Sequence, residues 1–280
     1  MSQNALNIRL SPILCSVILL LISSCSTPSL ELKSTTHAEV FDQNQSLSDW
    51  PEGNSSKVKS SHLIDHGFFQ ILYDTEFRLA KYVSYELRAT DLKKKSFKRK
   101  DRFLIDPVLK KSKIPFVKPS EYSGTGFDRG HLAPSADFSW DEKANDLTFV
   151  MSNIVPQKPN LNRNSWKKLE EKVRKWACGE EHISVITGPI LKENLPQLKS
   201  GLIIPEEFFK VIVDQTPPRK IIAFIYHQND KGDVLNQKVV PLAKIEKTTK
   251  ISFTNFYKSF TPSEKRSPAS LEVWKEAKCN

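Results

Sequence analysis

The order of its periodic segments limits most sharply what this chain can fold into. Apolar, β-rich runs at Phe68–Tyr73 and Ala80–Leu87 flank Asp74-Thr75-Glu76 and predict a hairpin. Leu147–Ile154 reads as a buried strand. His182–Thr187 reads as another, stopped by Gly188-Pro189, with two more at about 208–213 and 220–226. The clearest helix spans about Asn164–Ala177, where Trp166, Leu169, Val173 and Trp176 recur at helical spacing as one apolar stripe. A weaker helix is expected at about 269–278. No repeat has a fixed period, and strands and helices are intermixed without regular alternation. The reading is a single α+β domain over 60–280, with a central, mainly antiparallel sheet.

The N-terminus is of another kind. Met1–Arg9 carries one basic side chain, and Pro12–Ile22 is apolar and too short to cross a bilayer as a helix. Leu21-Ile22-Ser23-Ser24-Cys25 resembles a bacterial lipobox, in which small residues precede a cysteine that is lipidated and becomes the new N-terminus. The expectation is a lipoprotein signal peptide (1–24), a lipidated Cys25 and a polar, flexible tether (25–59). Localisation would be extracytoplasmic, anchored to a bacterial membrane and leaning towards the outer one; the alternative is plain secretion. Loss of Cys15 and acylation of Cys25 would leave Cys178 and Cys279, which an oxidising compartment allows to pair. Their spacing in sequence does not decide whether they do.

The candidate chemistry lies in Asp128-Arg129-Gly130-His131-Leu132-Ala133-Pro134. Hydrolysis of a phosphodiester needs a base that takes a proton from water, and imidazole titrates in the right range. It also needs positive charge on the phosphoryl oxygens, which a hard ion such as Mg²⁺ supplies, held by few oxygen ligands. Arginine adds bidentate contact to phosphate. Arg129 and His131 point the same way if their segment is a strand, and Gly130 between them permits close approach. Downstream, Asn162, Trp166 and Glu170 follow at four-residue steps on overlapping helix faces. The asparagine carbonyl can hold Mg²⁺. The bland reading makes Asn162 a helix cap and Glu170 a solvated charge.

Taken with Ser152-Asn153-Ile154-Val155-Pro156-Gln157, Val185–Pro189 and Phe208-Phe209-Lys210-Val211, this order of motifs resembles the DNA/RNA non-specific endonuclease family (endonuclease G-like) from about Gly67 to Phe260. The resemblance implies a ββα-metal core, also called a His-Me finger. His131 would be the general base, Asn162 the direct ligand of Mg²⁺ (Mn²⁺ as a substitute) and Glu170 its outer-shell partner. Arg129 would contact phosphate and Asp128 would support the motif. Substrates would be DNA and RNA, with products ending in 5′-phosphate. One element departs from the family pattern: the position matching a further transition-state arginine carries Asp101, flanked by Arg99 and Arg102, so either could serve.

A net charge of +10 from 42 Lys+Arg and 32 Asp+Glu suits a polyanionic partner. The run Lys93–Arg102 could be a phosphate-tracking edge or a solvated basic loop. A rival function is a surface DNA-binding lipoprotein without catalysis; a phosphodiesterase acting on smaller esters is a third. Oligomeric state stays open, a homodimer being one option.

Overall fold

A computed structural model describes residues 60–214, 216–232, 235–253, 261–267 and 269–279. The expected leader, Cys25 and the tether lie outside the described residues. Strands β1 (Ser61–Asp65), β2 (Phe69–Asp74) and β3 (Leu79–Arg88) come first, then the short helices α1 (Ala89–Leu92) and α2 (Pro107–Lys111). After β4 (Asp128–His131), α3 (Glu142–Leu147) and β5 (Ile154–Gln157), a π-helical turn over Leu161–Trp166 runs into α4 (Lys167–Glu180). The chain continues through β6 (His182–Pro189), β7 (Glu207–Asp214), β8 (Lys220–His227), α5 (Leu235–Lys238), β9 (Val239–Val240), α6 (Leu242–Thr249) and α7 (Pro262–Arg266).

Seven strands form one sheet in the order β1-β2-β3-β6-β7-β8-β9, and every neighbouring pair is antiparallel. The expected α+β class with a central antiparallel sheet is therefore the observed one. The sheet is covered on both faces, which explains why its inner strands read as nearly continuous apolar runs. Along β7, Phe208 and Ile212 enter one core while Phe209, Val211 and Val213 enter the other. The first core takes Trp166 from the π turn and Leu169, Val173 and Trp176 from α4, all essentially inaccessible to solvent. Each such burial contributes about 1.5–3 kcal/mol. The second core is closed by Leu242 and Ile245 of α6 with Phe253. In the β2–β3 turn the Asp74 carboxylate accepts from the Glu76 and Phe77 amides, both at 2.9 Å, before Arg78 reverses the chain at a φ of 56°.

Three expectations require correction. The strand placed at Leu147–Ile154 begins only at Ile154. Polar side chains claim the preceding backbone: the Asn153 amide nitrogen donates to the Thr148 and Ala133 carbonyls, its oxygen accepts from the Ala133 amide, and Thr148 Oγ1 donates to the Asn145 carbonyl. Such local bonds compete with a ladder and fold the segment into turns. Gly188-Pro189 does not stop β6, whose pairing with β7 runs through both residues. A Cβ on Gly188 would lie 2.3 Å from the Lys81 carbonyl oxygen, so glycine permits a close crossing there. The helix expected at 269–278 is a single 3-10 turn, Leu271–Val273, followed by an extended tail. Its backbone amides are satisfied by α4 instead: Lys275 donates to Glu180 and Ala277 to the Lys175 carbonyl.

Candidate active site

β4 and β5 form their own antiparallel ribbon, pairing Asp128 with Gln157 and His131 with Ile154, and the chain then enters the π turn and α4. Two strands and a helix thus come together where the motif was read. Arg129 and His131 share one face, since both pack against Phe103. Gly130 is required on the other: a Cβ there would lie 2.2 Å from Gln157 Oε1.

His131 is buried, its ring meeting Phe149 edge-on at 4.9 Å and Phe103 at 5.6 Å. Its Nε2 is buried without a hydrogen-bond partner. Burial, assisted by the charge of Arg99, lowers the imidazole pKa to about 3. The ring is consequently neutral at working pH, the form that can accept a proton. Arg99 stands over the opposite partner in this stack, with its guanidinium 5.0 Å from the Phe149 ring centre. The charge of Arg99 also acts on Glu170, where it opposes the upward shift caused by burial. Of the two arginines left open by the sequence, both are exposed, and it is the guanidinium of Arg99 that lies against Phe149, the ring that meets His131. The reversal at Asp101, whose φ is 49° and whose carboxylate pairs with Arg99, turns the loop to allow this.

Asn162 is not acting as a helix cap. Its Nδ2 donates to Asp128 at 2.9 Å, and Arg163 grips the same carboxylate through Nε and Nη2 at 2.8 and 2.7 Å. Burial alone would raise the Asp128 pKa, but the bonds from Arg163 and Asn162 hold it below the usual carboxylate value. With the amide nitrogen committed, the Asn162 carbonyl oxygen is the end left to accept. Glu170 is partly buried, and burial pushes its carboxyl pKa upward against the opposing charge of Lys210. Among the described residues no three His, Cys, Asp or Glu side chains converge on a point. The donor present is an oriented amide oxygen, with the Glu170 carboxylate eight residues further along, a sparse oxygen set of the kind that suits a hard ion keeping most of its water, such as Mg²⁺.

Arg129 is engaged elsewhere in this structure. Its Nε and Nη2 donate to the Pro119 carbonyl at 3.3 and 2.9 Å, and the guanidinium packs on Phe103 and Tyr122. Nη1 and the second N–H of Nη2 are left for a phosphate. Cys178 of α4 and Cys279 of the tail form a disulfide with Cα atoms 5.5 Å apart.

Against this geometry, residues 52–259 match the family described as DNA/RNA non-specific endonuclease. The chain belongs to that family. It is 30% identical over 203 residues to mitochondrial endonuclease G of Homo sapiens, covering 66% of this chain and 67% of that protein. It is 33% identical over 153 residues to a nuclease of Nostoc sp. (strain PCC 7120), covering 55% and 54% respectively. The chain therefore spans between about half and two thirds of the lengths of these relatives. Among solved structures, the EndoG/EndoGI complex superposes with a TM-score of 0.63 at 25% identity, over 69% of this chain and 86% of that one.

This endonuclease-family chain also assembles charges that the motifs do not point to. Asp137, fully buried, accepts from Arg174 Nη1 at 2.8 Å and from the Tyr85 hydroxyl at 3.0 Å. Arg174 follows Glu170 by four residues on α4, a helical spacing that is visible in the sequence. Lys210 lies entirely buried in β7. A lysine amid Phe208, Phe209, Val211 and Ile212 is the available signal for it.

Proposed function

We propose that the chain is a Mg²⁺-dependent, sequence-non-specific endonuclease that hydrolyses DNA and RNA to 5′-phosphate and 3′-hydroxyl ends. The observation that carries this reading is a buried imidazole with an unpartnered Nε2 on β4, the same strand whose Asp128 fixes the amide of Asn162 in the π turn that leads into α4. Family membership supports it, as do the nuclease names of the relatives. Metal bound at Asn162 would neutralise charge on the phosphoryl oxygens and on the departing 3′ oxygen. His131 takes the proton from the attacking water as the new oxygen–phosphorus bond forms and the bond to the 3′ oxygen breaks. Arg99 supplies permanent charge to the phosphoryl oxygens. Arg129, tied to the Pro119 carbonyl, offers its remaining N–H groups to phosphate. Glu170 fixes the surroundings of the metal from the helix.

The apolar run Pro12–Ile22 and the Ser23-Ser24-Cys25 junction support export with a lipid anchor at Cys25. On this reading the wild type partitions with membranes and Cys25→Ser does not.

The test is digestion of single- and double-stranded DNA and of RNA with Mg²⁺ and with excess EDTA, with end-labelling of products. Cleavage of all three polymers with Mg²⁺ only, leaving 5′-phosphates, is expected. DNA binding without cleavage under any metal would instead establish the non-catalytic reading.

A further inference from the structure

We infer that Lys210 is a positioning residue of this site: its buried ammonium is the counter-charge that holds the Glu170 carboxylate in place beside Asn162. The inference rests on the proposed nuclease reading and concerns a residue to which that reading gives no role.

Lys210 stands in the middle of the sheet, between Thr187 of β6 and Phe224 of β8, with no exposed surface. Its parity in β7 matches Phe208 and Ile212, which places its side chain on the core face that receives α4. The ammonium lies 4.8 Å over the ring of Trp166 and has no hydrogen-bond partner. Trp166 lies four residues after Asn162 and four before Glu170, so the cation reaches the helix between the two site residues. A desolvated ammonium is costly unless negative charge compensates it.

Two carboxylates act on Lys210, Glu170 first and Asp137 second, while Arg174 opposes them. Asp137 is already bonded by Arg174 and Tyr85. The Glu170 carboxylate makes no hydrogen bond to another described residue, and the charges that act on it are those of Lys210 on the sheet, Arg174 on its own helix, and Asp137 and Arg99 outside both. Among the described residues, Lys210 is the one fully buried cation acting on Glu170; Arg174 is bonded to Asp137 and Arg99 is paired with Asp101. Without Lys210 the cations left to Glu170 are each already bonded to another carboxylate, and Glu170, the one without hydrogen bonds, is the member that would be displaced or discharged. Lys210 acts through Glu170 and touches no reacting atom.

The experiment is a double-mutant cycle on the full chain with Lys210→Met, Glu170→Gln and the pair combined. It reads kcat and KM for plasmid cleavage, Mn²⁺ affinity by electron paramagnetic resonance, and folding by circular dichroism. Lys210→Met is expected to lower kcat and Mn²⁺ affinity by about 10- to 100-fold, the range found when outer-shell partners of a metal are removed, with KM for DNA little changed. The double variant should be no worse than Glu170→Gln, because both changes remove one interaction. Additive losses, or a Lys210→Met enzyme with near-wild-type kcat and Mn²⁺ affinity, would overturn the inference. Should Lys210→Met fail to fold, recovery of folding in the double variant supports the coupling, and failure of both assigns Lys210 to core filling alone. A wild type that never cleaves sinks the nuclease reading instead, a separate outcome.

Discussion

At the scale of single residues, the site depends on side chains whose polar ends are fixed by what surrounds them. Asp128 determines which end of the Asn162 amide is free. The aromatic walls of Phe149 and Phe103 determine that His131 is uncharged. The second effect has a stability consequence of definite sign. His131 titrates at about 3 when folded against an ordinary value near 6.5 unfolded, so between those pH values the unfolded chain binds one more proton than the folded one. Its contribution to stability is complete above pH 6.5 and is lost as pH falls, by about 1.4 kcal/mol per pH unit at most. Urea unfolding of metal-free protein should show a smaller loss between pH 7 and 4.5 in His131→Asn than in wild type. Equal losses would mean that the imidazole is not held neutral. His131, Asn162 and Glu170 are legible as candidates because their types and spacing suit one chemistry. The Asp137–Arg174 pair and Lys210 are not, because their meeting spans 37 residues or more and follows from how α4 lies on the sheet.

At the scale of elements, α4 links the chemistry to the rest of the fold. Its first turn carries Glu170 and the π turn that leads into it carries Asn162, its inner stripe fills the core, and its C-terminal end is bound to the tail. There Trp274 packs on Trp176 at 5.3 Å, Lys172 pairs with Glu276, and the disulfide closes a span of 101 residues. A Cβ on Gly179 would lie 2.3 Å from the Lys275 carbonyl oxygen, so the tail approaches the helix closely. Replacing Cys178 and Cys279 with serine should cost about 2–5 kcal/mol, read as a fall in melting temperature that reductant reproduces in the wild type. A melting temperature indifferent to both would contradict this role. The same elements show where sequence periodicity suffices. β7 and β8 are read closely because long apolar runs in a doubly covered sheet have little else to form. Leu147–Ile154 misleads because its apolar content resembles theirs while Asn153 and Thr148 spend the backbone on turns. The tail misleads as a helix because its apolar residues serve a neighbouring helix, which a local pattern cannot show.

At the scale of the whole molecule, a surplus of ten positive charges gives a surface suited to polyanions. The structure tempers the basic run Lys93–Arg102, whose cations are all exposed: Lys94 pairs with Asp91, Lys100 with Glu142 and Asp146, and Arg99 with Asp101, while Lys93, Lys95, Lys98 and Arg102 lie outside these pairs. Neutralising Lys93, Lys95 and Lys98 together should weaken DNA binding by a cleavage-dead protein. The slope of log affinity against log salt should fall by about two to three, close to one for each phosphate no longer neutralised. An unchanged slope would make this loop a solvated edge with no part in binding. The account as a whole stands or falls on His131. Single-turnover cleavage of plasmid DNA by His131→Ala with Mg²⁺, alongside its DNA affinity, tests it most directly. The account predicts a rate lower by about 10²- to 10⁴-fold, the range of a lost general base, with affinity nearly unchanged. Cleavage at close to the wild-type rate would contradict it.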